Sequence, residues 1–132
     1  MKYKTKMFEM AKQMLPHSYS PYSKFKVSCC LRTNNDNFYT GCNVENASYS
    51  LACCAETNAI LQMVAHGEQE IAEMVIISES DTTCVPCGAC RQRIREFAMP
   101  ELPIHMGTHK GLTNTQTLHA LLPNSFGPEY LS

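Results

Sequence analysis

A chain of 132 residues with 44% apolar and 17% charged side chains can build one core and is too apolar for a disordered segment. Eleven Lys and Arg against twelve Asp and Glu give a formal net charge of -1, which leaves no basic surplus to grip the backbone of a nucleic acid. The opening stretch MKYKTKMFEMAKQML lacks a continuous apolar run and a small-residue cleavage site, and no segment approaches bilayer length, so no signal peptide, no membrane span and a cytoplasmic location are expected.

Met7, Phe8, Met10, Ala11, Met14 and Leu15 fall near helical spacing and predict a first helix from about Lys4 to Leu15, stopped by Pro16. His17 to Ser23 reads as a loop. Phe25 to Arg32 and Phe38 to Val44 read as two strands joined by the turn Thr33-Asn34-Asn35-Asp36-Asn37. Glu45 to Ser50 is a polar loop, and a helical pattern runs from about Leu51 to His66, with Gly67 as its stop. Met74 to Ile77 reads as a short strand, central and parallel. After a loop from Ser78 to Pro86 come a helix from Gly88 to Phe97, a strand from Leu102 to Met106 and a last helix from Thr115 to Leu122, ended by Pro123. Strands alternating with helices give an α/β class, one sheet with helices on its faces, and residues 1–132 read as a single domain.

Two motifs carry the chemistry. Cys54-Ala55-Glu56 and Pro86-Cys87-Gly88-Ala89-Cys90 both sit where a loop enters a helix. Helix N-termini bear partial positive charge and spare N–H donors, and both favour the thiolate, which is the form that binds metal. In a reducing compartment the eight cysteines serve metal or catalysis sooner than a disulfide framework. Cys54, Cys87 and Cys90 can hold Zn2+ and leave its fourth position to water, the pattern of a catalytic rather than a closed structural site. Glu56 stands close enough to take a proton from that water and pass it on. Other readings stay open at this point. A Cys-x-x-Cys can be a redox pair or half of a structural knuckle, and Cys53 could complete a closed four-sulfur site. Cys29, Cys30, Cys42, Cys53 and Cys84 read as small buried apolar residues, and the five His as surface or ordinary packing.

The blocks Ser20-Pro21-Tyr22-Ser23-Lys24-Phe25, Gly41-Cys42-Asn43-Val44-Glu45-Asn46-Ala47-Ser48-Tyr49, Cys54-Ala55-Glu56 and Pro86-Cys87-Gly88-Ala89-Cys90-Arg91-Gln92 resemble the small homotetrameric zinc-dependent cytidine deaminases. The signature of zinc deaminases is His-x-Glu followed by Pro-Cys-x-x-Cys, and this chain matches its three-cysteine form. The resemblance reaches from the first helix to Leu121-Leu122-Pro123-Asn124-Ser125-Phe126. It implies a three-layer α/β/α fold around one mixed sheet of about five strands, one Zn2+ per chain, and hydrolysis of cytidine and 2'-deoxycytidine to uridine and 2'-deoxyuridine with release of ammonia. The zinc ligands would be Cys54, Cys87 and Cys90, and the proton shuttle Glu56. Asn43 and Glu45 would bond the ribose hydroxyl, Phe25 would pack on the pyrimidine and Ala55 would offer its backbone N–H. Tyr49 and Phe126 would complete a neighbouring subunit's pocket. Without the resemblance, Phe25, Tyr49 and Phe126 read as core packing.

A carboxylate at Glu45 beside the ribose accepts a bond from a free hydroxyl and repels a phosphate, so a free nucleoside is the expected partner and no nucleic acid is. Many members of the family carry Arg straight after the catalytic Glu, and here the position is Thr57. Zinc with three thiolates has a formal charge of -1, so another donor, Arg91 or helix N–H groups, is expected to supply the balance. Thr57 also keeps alive a deaminase of modified cytosines or of a cytosine-bearing antibiotic, and a closed four-sulfur site would make the chain a non-catalytic zinc module.

Overall fold

The computed structural model describes residues 2–132. Five strands form one mixed sheet in the order β2-β1-β3-β4-β5. These are β1 (Val27–Thr33), β2 (Phe38–Cys42), β3 (Ile71–Ser78), β4 (Pro103–Thr108) and β5 (Gly111–Thr117). The helices are α1 (Lys4–Met14), α2 (Ala55–Ala65), α3 (Gly88–Phe97) and α4 (Leu118–Leu121). β3 is central as expected, but it runs parallel to β4 alone and antiparallel to β1.

Alternation along the strands assigns the two faces. Cys30, Val75 and Ile77 pack against Met7, Ala11 and Leu15 on the α1 side. Cys29, Leu31, Met74, Ile76, Ile104 and Met106 pack against Ala59, Ile60, Met63 and Ile94 of α2 and α3. The result is three layers, as the family resemblance implies. On the α1 face Glu73 is buried and fully answered. Arg32 approaches one of its oxygens at 3.2 Å and His105 Nε2 the other at 2.6 Å, while His105 Nδ1 bonds the Thr115 hydroxyl at 2.8 Å. A buried carboxylate with such partners avoids the penalty of an unpaired charge.

Three expectations need correction. α2 starts at Ala55, not Leu51, because the Cys53 N–H and carbonyl are already spent on Val44 in a two-way bridge of 2.9 Å bonds that keeps this stretch extended. The segment expected as a helix from Thr115 is the end of β5, where β-branched threonines pair with β4 down to Pro103↔Thr117. Only Leu118–Leu121 turns helical, capped by the Thr117 hydroxyl accepting from the Ala120 N–H at 3.1 Å. Cys53 is exposed and Cys42 half-buried, whereas Cys29, Cys30 and Cys84 are buried as expected.

Gly41 sets how closely α2 lies on the sheet. A Cβ there would stand 2.5 Å from the Ala59 nitrogen and 2.6 Å from the Ala55 carbonyl oxygen, both backbone atoms that cannot swing aside. Asn58 adds a bond of 2.7 Å from its amide to the Cys42 carbonyl. Gly41→Ala is therefore expected to destabilise the fold by about 1–3 kcal/mol or more and to loosen metal retention with it, read by urea unfolding and zinc content. A second prediction concerns acid. Glu68 accepts from Asn35, Asn37 and Tyr39 at 3.1, 2.9 and 2.8 Å. Its carboxyl is held down to about 2 by hydrogen bonds, that of Thr33 foremost. A lowered acid contributes fully above its unfolded value of about 4.3, and that stability is lost as pH falls towards about 2. Glu68→Gln should flatten the acid limb of a stability-against-pH curve in that window.

Candidate active site

α2 and α3 start side by side. Cys54 is the N-cap of α2 and Cys87 the N-cap of α3, both with extended backbone, and Cys90 lies in the first turn of α3, buried. The three sulfurs lie within 4.8 Å of one another, and Cys54 Sγ is 3.7 Å from Cys87 Sγ. Thiolates 2.3 Å from a tetrahedral ion stand about 3.8 Å apart, so this donor set fits zinc. It is the single such cluster among the described residues, and no fourth Cys, His or carboxylate belongs to it. Exposed Cys53 stays outside, which removes the closed four-sulfur alternative.

The sulfurs differ in their surroundings. Cys54 is brought down to about 6, chiefly by hydrogen bonding from Cys90 and then from Cys87, with the charge of Arg93 adding. Cys90 is pushed up by its bond to Cys54 and by burial. Thr57, itself buried, places its hydroxyl 3.8 Å from Cys90 Sγ. Arg91 turns elsewhere. Its Nε donates to the Pro86 carbonyl and its Nη1 to the Leu121 carbonyl, each at 2.8 Å. The charge of Arg93 acts on Cys54, and the Thr57 hydroxyl lies beside Cys90; sequence spacing alone did not single out either contact.

Beside the sulfurs lies a cleft of about 220 Å³. Cys54, Ala55, Glu56 and Cys87 line it together with Phe25, Asn43, Cys84 and Val85. Larger hollows of about 460 and 470 Å³ lie elsewhere, but neither borders the thiolates, and chemistry decides for the smaller one. Glu56 is only 3% exposed. Burial pushes its carboxyl up to about 7, its own backbone N–H pulls the other way, and the Cys54 charge adds to the rise. A carboxyl there can change protonation near neutral pH. Ala55 is the first residue of α2, so its N–H has no partner within the helix. Cys84 is pushed up to about 12 by burial and remains an uncharged thiol.

Asn43 and Glu45 are partly committed to the protein. Asn43 Oδ1 accepts from the Val27 N–H at 2.9 Å and from the Ser18 hydroxyl, and its Nδ2 donates to the Phe25 carbonyl at 2.8 Å. This side chain thereby holds the loop that carries Phe25, and one amide N–H is left over. Glu45 Oε1 accepts the Tyr22 and Ser23 N–H groups at 3.0 and 3.1 Å, and Oε2 accepts the Ser23 hydroxyl. Those bonds, the Ser23 hydroxyl first, hold its carboxyl below the usual range. Glu45 borders a neighbouring hollow of about 320 Å³ with Tyr22 and Tyr49. Tyr49 and Phe126, 81% and 56% exposed, do not line the cleft of their own chain, and neither is core packing.

The chain matches the family described as the cytidine and deoxycytidylate deaminase zinc-binding region over residues 1–106. It is 35% identical to the cytidine deaminase of Sporosarcina psychrophila over 96% of this chain and 93% of that one. It is 48% identical to the cytidine deaminase of Mycoplasma pneumoniae over 65% of each. Among solved structures, the cytidine deaminase of Burkholderia pseudomallei superimposes with a TM-score of 0.87 at 38% identity, covering 92% of this chain and 98% of that one. The Mycobacterium tuberculosis enzyme gives a TM-score of 0.83 at 31% identity, covering 93% and 96%.

The Thr57 contact has a direct test. Thr57→Val removes the hydroxyl and should weaken zinc retention by about tenfold, the worth of one hydrogen bond to a charged acceptor, as read by competition with a chelator. Thr57→Ser should retain most of the affinity.

Proposed function

The chain belongs to the zinc-dependent cytidine and deoxycytidylate deaminases, and from that premise we propose how its own residues divide the hydrolytic deamination of cytidine to uridine and ammonia, a step of pyrimidine salvage. Cys54, Cys87 and Cys90 hold the zinc, one ion per chain. When bound, the ion lowers the pKa of its water and so supplies a nucleophile at neutral pH. The reading is carried by one observation: a buried carboxyl, Glu56, lines a cleft beside three converging sulfurs.

Glu56 takes a proton from the attacking water and delivers it to ring N3 as the water oxygen bonds to C4, then moves that oxygen's remaining proton to the amino group as the C4–N bond breaks and ammonia leaves. Its low exposure keeps bulk water from competing for those protons. Phe25 packs on the pyrimidine face and the Ala55 N–H bonds the base, oriented by the start of α2. The remaining Asn43 N–H donates to a ribose oxygen. Glu45, ionised and fixed by Ser23, accepts from a ribose hydroxyl and repels a phosphate there, which favours a free nucleoside. The same contacts suit cytidine and 2'-deoxycytidine. Both carry an ordinary pentose for the Asn43 and Glu45 pair, which speaks for them over an antibiotic substrate.

Residues 1–132 act as a single domain, and four copies assemble so that Tyr49 and Phe126 of one chain complete the cleft of another. Their exposure supports this, since large aromatic side chains left in water are the usual material of an interface. A cytoplasmic location agrees with the free thiols and with the finding that no helix of the described residues is long and apolar enough to cross a membrane.

Glu56→Gln keeps the shape of the carboxyl and loses its proton transfer. It should reduce cytidine turnover by at least about a hundredfold with zinc content and circular dichroism unchanged, followed by the loss of cytidine ultraviolet absorbance. A fully active variant ends the shuttle assignment.

A further inference from the structure

α3 does more than carry two of the sulfurs. A set of long polar side chains on it holds the segment after α4. Gln92 Nε2 donates to the Phe126 carbonyl at 2.8 Å, Arg95 Nε donates to the Ser125 hydroxyl at 2.9 Å, and Arg95 Nη2 donates to both Glu129 carboxylate oxygens at 2.5 and 2.8 Å. Gly127 is buried beneath this clasp, and a Cβ there would lie 2.4 Å from Arg95 Cζ and 2.3 Å from Glu129 Oε1. The chain turns into the segment through Asn124, whose φ of 51° lies in the left-handed region that asparagine tolerates.

The clasp has one visible product. The rings of Phe126 and Tyr130 stack, with centroids 4.9 Å apart and planes 15° from parallel, yet they are 56% and 65% exposed. Neither ring lines the cleft of its own chain. A charge-assisted clasp that fixes an aromatic pair in water is wasted unless something receives it, and rigid presentation removes the ordering cost of binding.

We propose that Gln92 and Arg95 are positioning residues for the deamination, holding Phe126, backed by Tyr130, in the attitude in which it enters the cleft of a second copy of this chain. The inference rests on the reading of Phe126 given above and adds what aims it. Arg95 touches neither substrate nor metal; it acts through the backbone and side chains of residues 125–129.

The test compares KM and kcat for cytidine in the zinc-loaded protein and in Phe126→Ala, Arg95→Ala, Arg95→Lys, Glu129→Gln and the double variant Arg95→Ala/Phe126→Ala. Removing an aromatic face from a base contact should raise KM about tenfold. Arg95→Ala should raise KM by a similar factor with kcat within about twofold, Arg95→Lys and Glu129→Gln should raise it less, and Arg95→Ala should add nothing once Phe126 is gone. An arginine that merely stabilises the fold would act alike in both backgrounds. If Phe126→Ala raises KM while Arg95→Ala and Glu129→Gln leave it unchanged, the clasp is refuted and the shared cleft stands. If Phe126→Ala itself leaves KM unchanged, the shared cleft falls and takes the clasp with it. Should Arg95→Ala not fold, Glu129→Gln decides, because Glu129 lies on the surface and an unchanged KM there overturns the proposal.

Discussion

The meeting of two helix N-termini governs this molecule. Cys54 and Cys87 are the cap residues of α2 and α3, and their sulfurs come within 3.7 Å. Bringing two anionic ligands together is unfavourable unless positive potential waits there, and the unpaired N–H groups of two helix starts provide it before any ion arrives. Much of the fold serves that meeting. Gly41 lets α2 settle against β2, Asn58 ties it to the Cys42 carbonyl, and the Val44–Cys53 bridge keeps the chain extended until Cys54. On the other side, Arg91 bonds the carbonyl of Pro86, the residue before Cys87, and so steadies the second start.

Charge balance follows from the same geometry. Three thiolates leave bound zinc with a surplus of negative charge, and the residue after Glu56 is the uncharged Thr57. The Thr57 hydroxyl reaches Cys90, and Arg93 contributes its field at Cys54. A hydroxyl offsets less charge than a guanidinium does, but it takes little room in a buried spot. Glu56 stands in this field with almost no solvent. Burial and a nearby thiolate both raise its proton affinity, which suits the shuttle role proposed for it. Asn43 and Glu45 build the loop that presents Phe25, Asn43 by bonding the Val27 N–H and the Phe25 carbonyl and Glu45 by bonding Tyr22 and Ser23.

The motifs were legible because their chemistry is local. Cys-Ala-Glu and Pro-Cys-x-x-Cys each lie within one helix start, and the span of α3 was read from its pattern residue for residue. Strand edges and the last helix were harder. The Thr115–Leu122 stretch has a plausible helical pattern, but β4 offers a ladder of hydrogen bonds that a single sequence does not display. The start of α2 was misplaced for a similar reason, since Val44 claims the backbone of Cys53 from nine residues away. Arg91 was one of two expected sources of charge balance, helix N–H groups being the other, yet its long side chain turns towards two carbonyls instead.

The amino-acid sequence by itself determined the reagents: three sulfurs, one carboxylate, and their placement at helix starts. Tertiary structure alone decided which groups share a space. It buried Glu56, excluded Cys53 from the sulfur cluster, put Thr57 beside Cys90 and left Tyr49 and Phe126 in water. The physical reason is that identity and spacing are written along the chain, whereas desolvation and proximity arise only when distant segments are packed together.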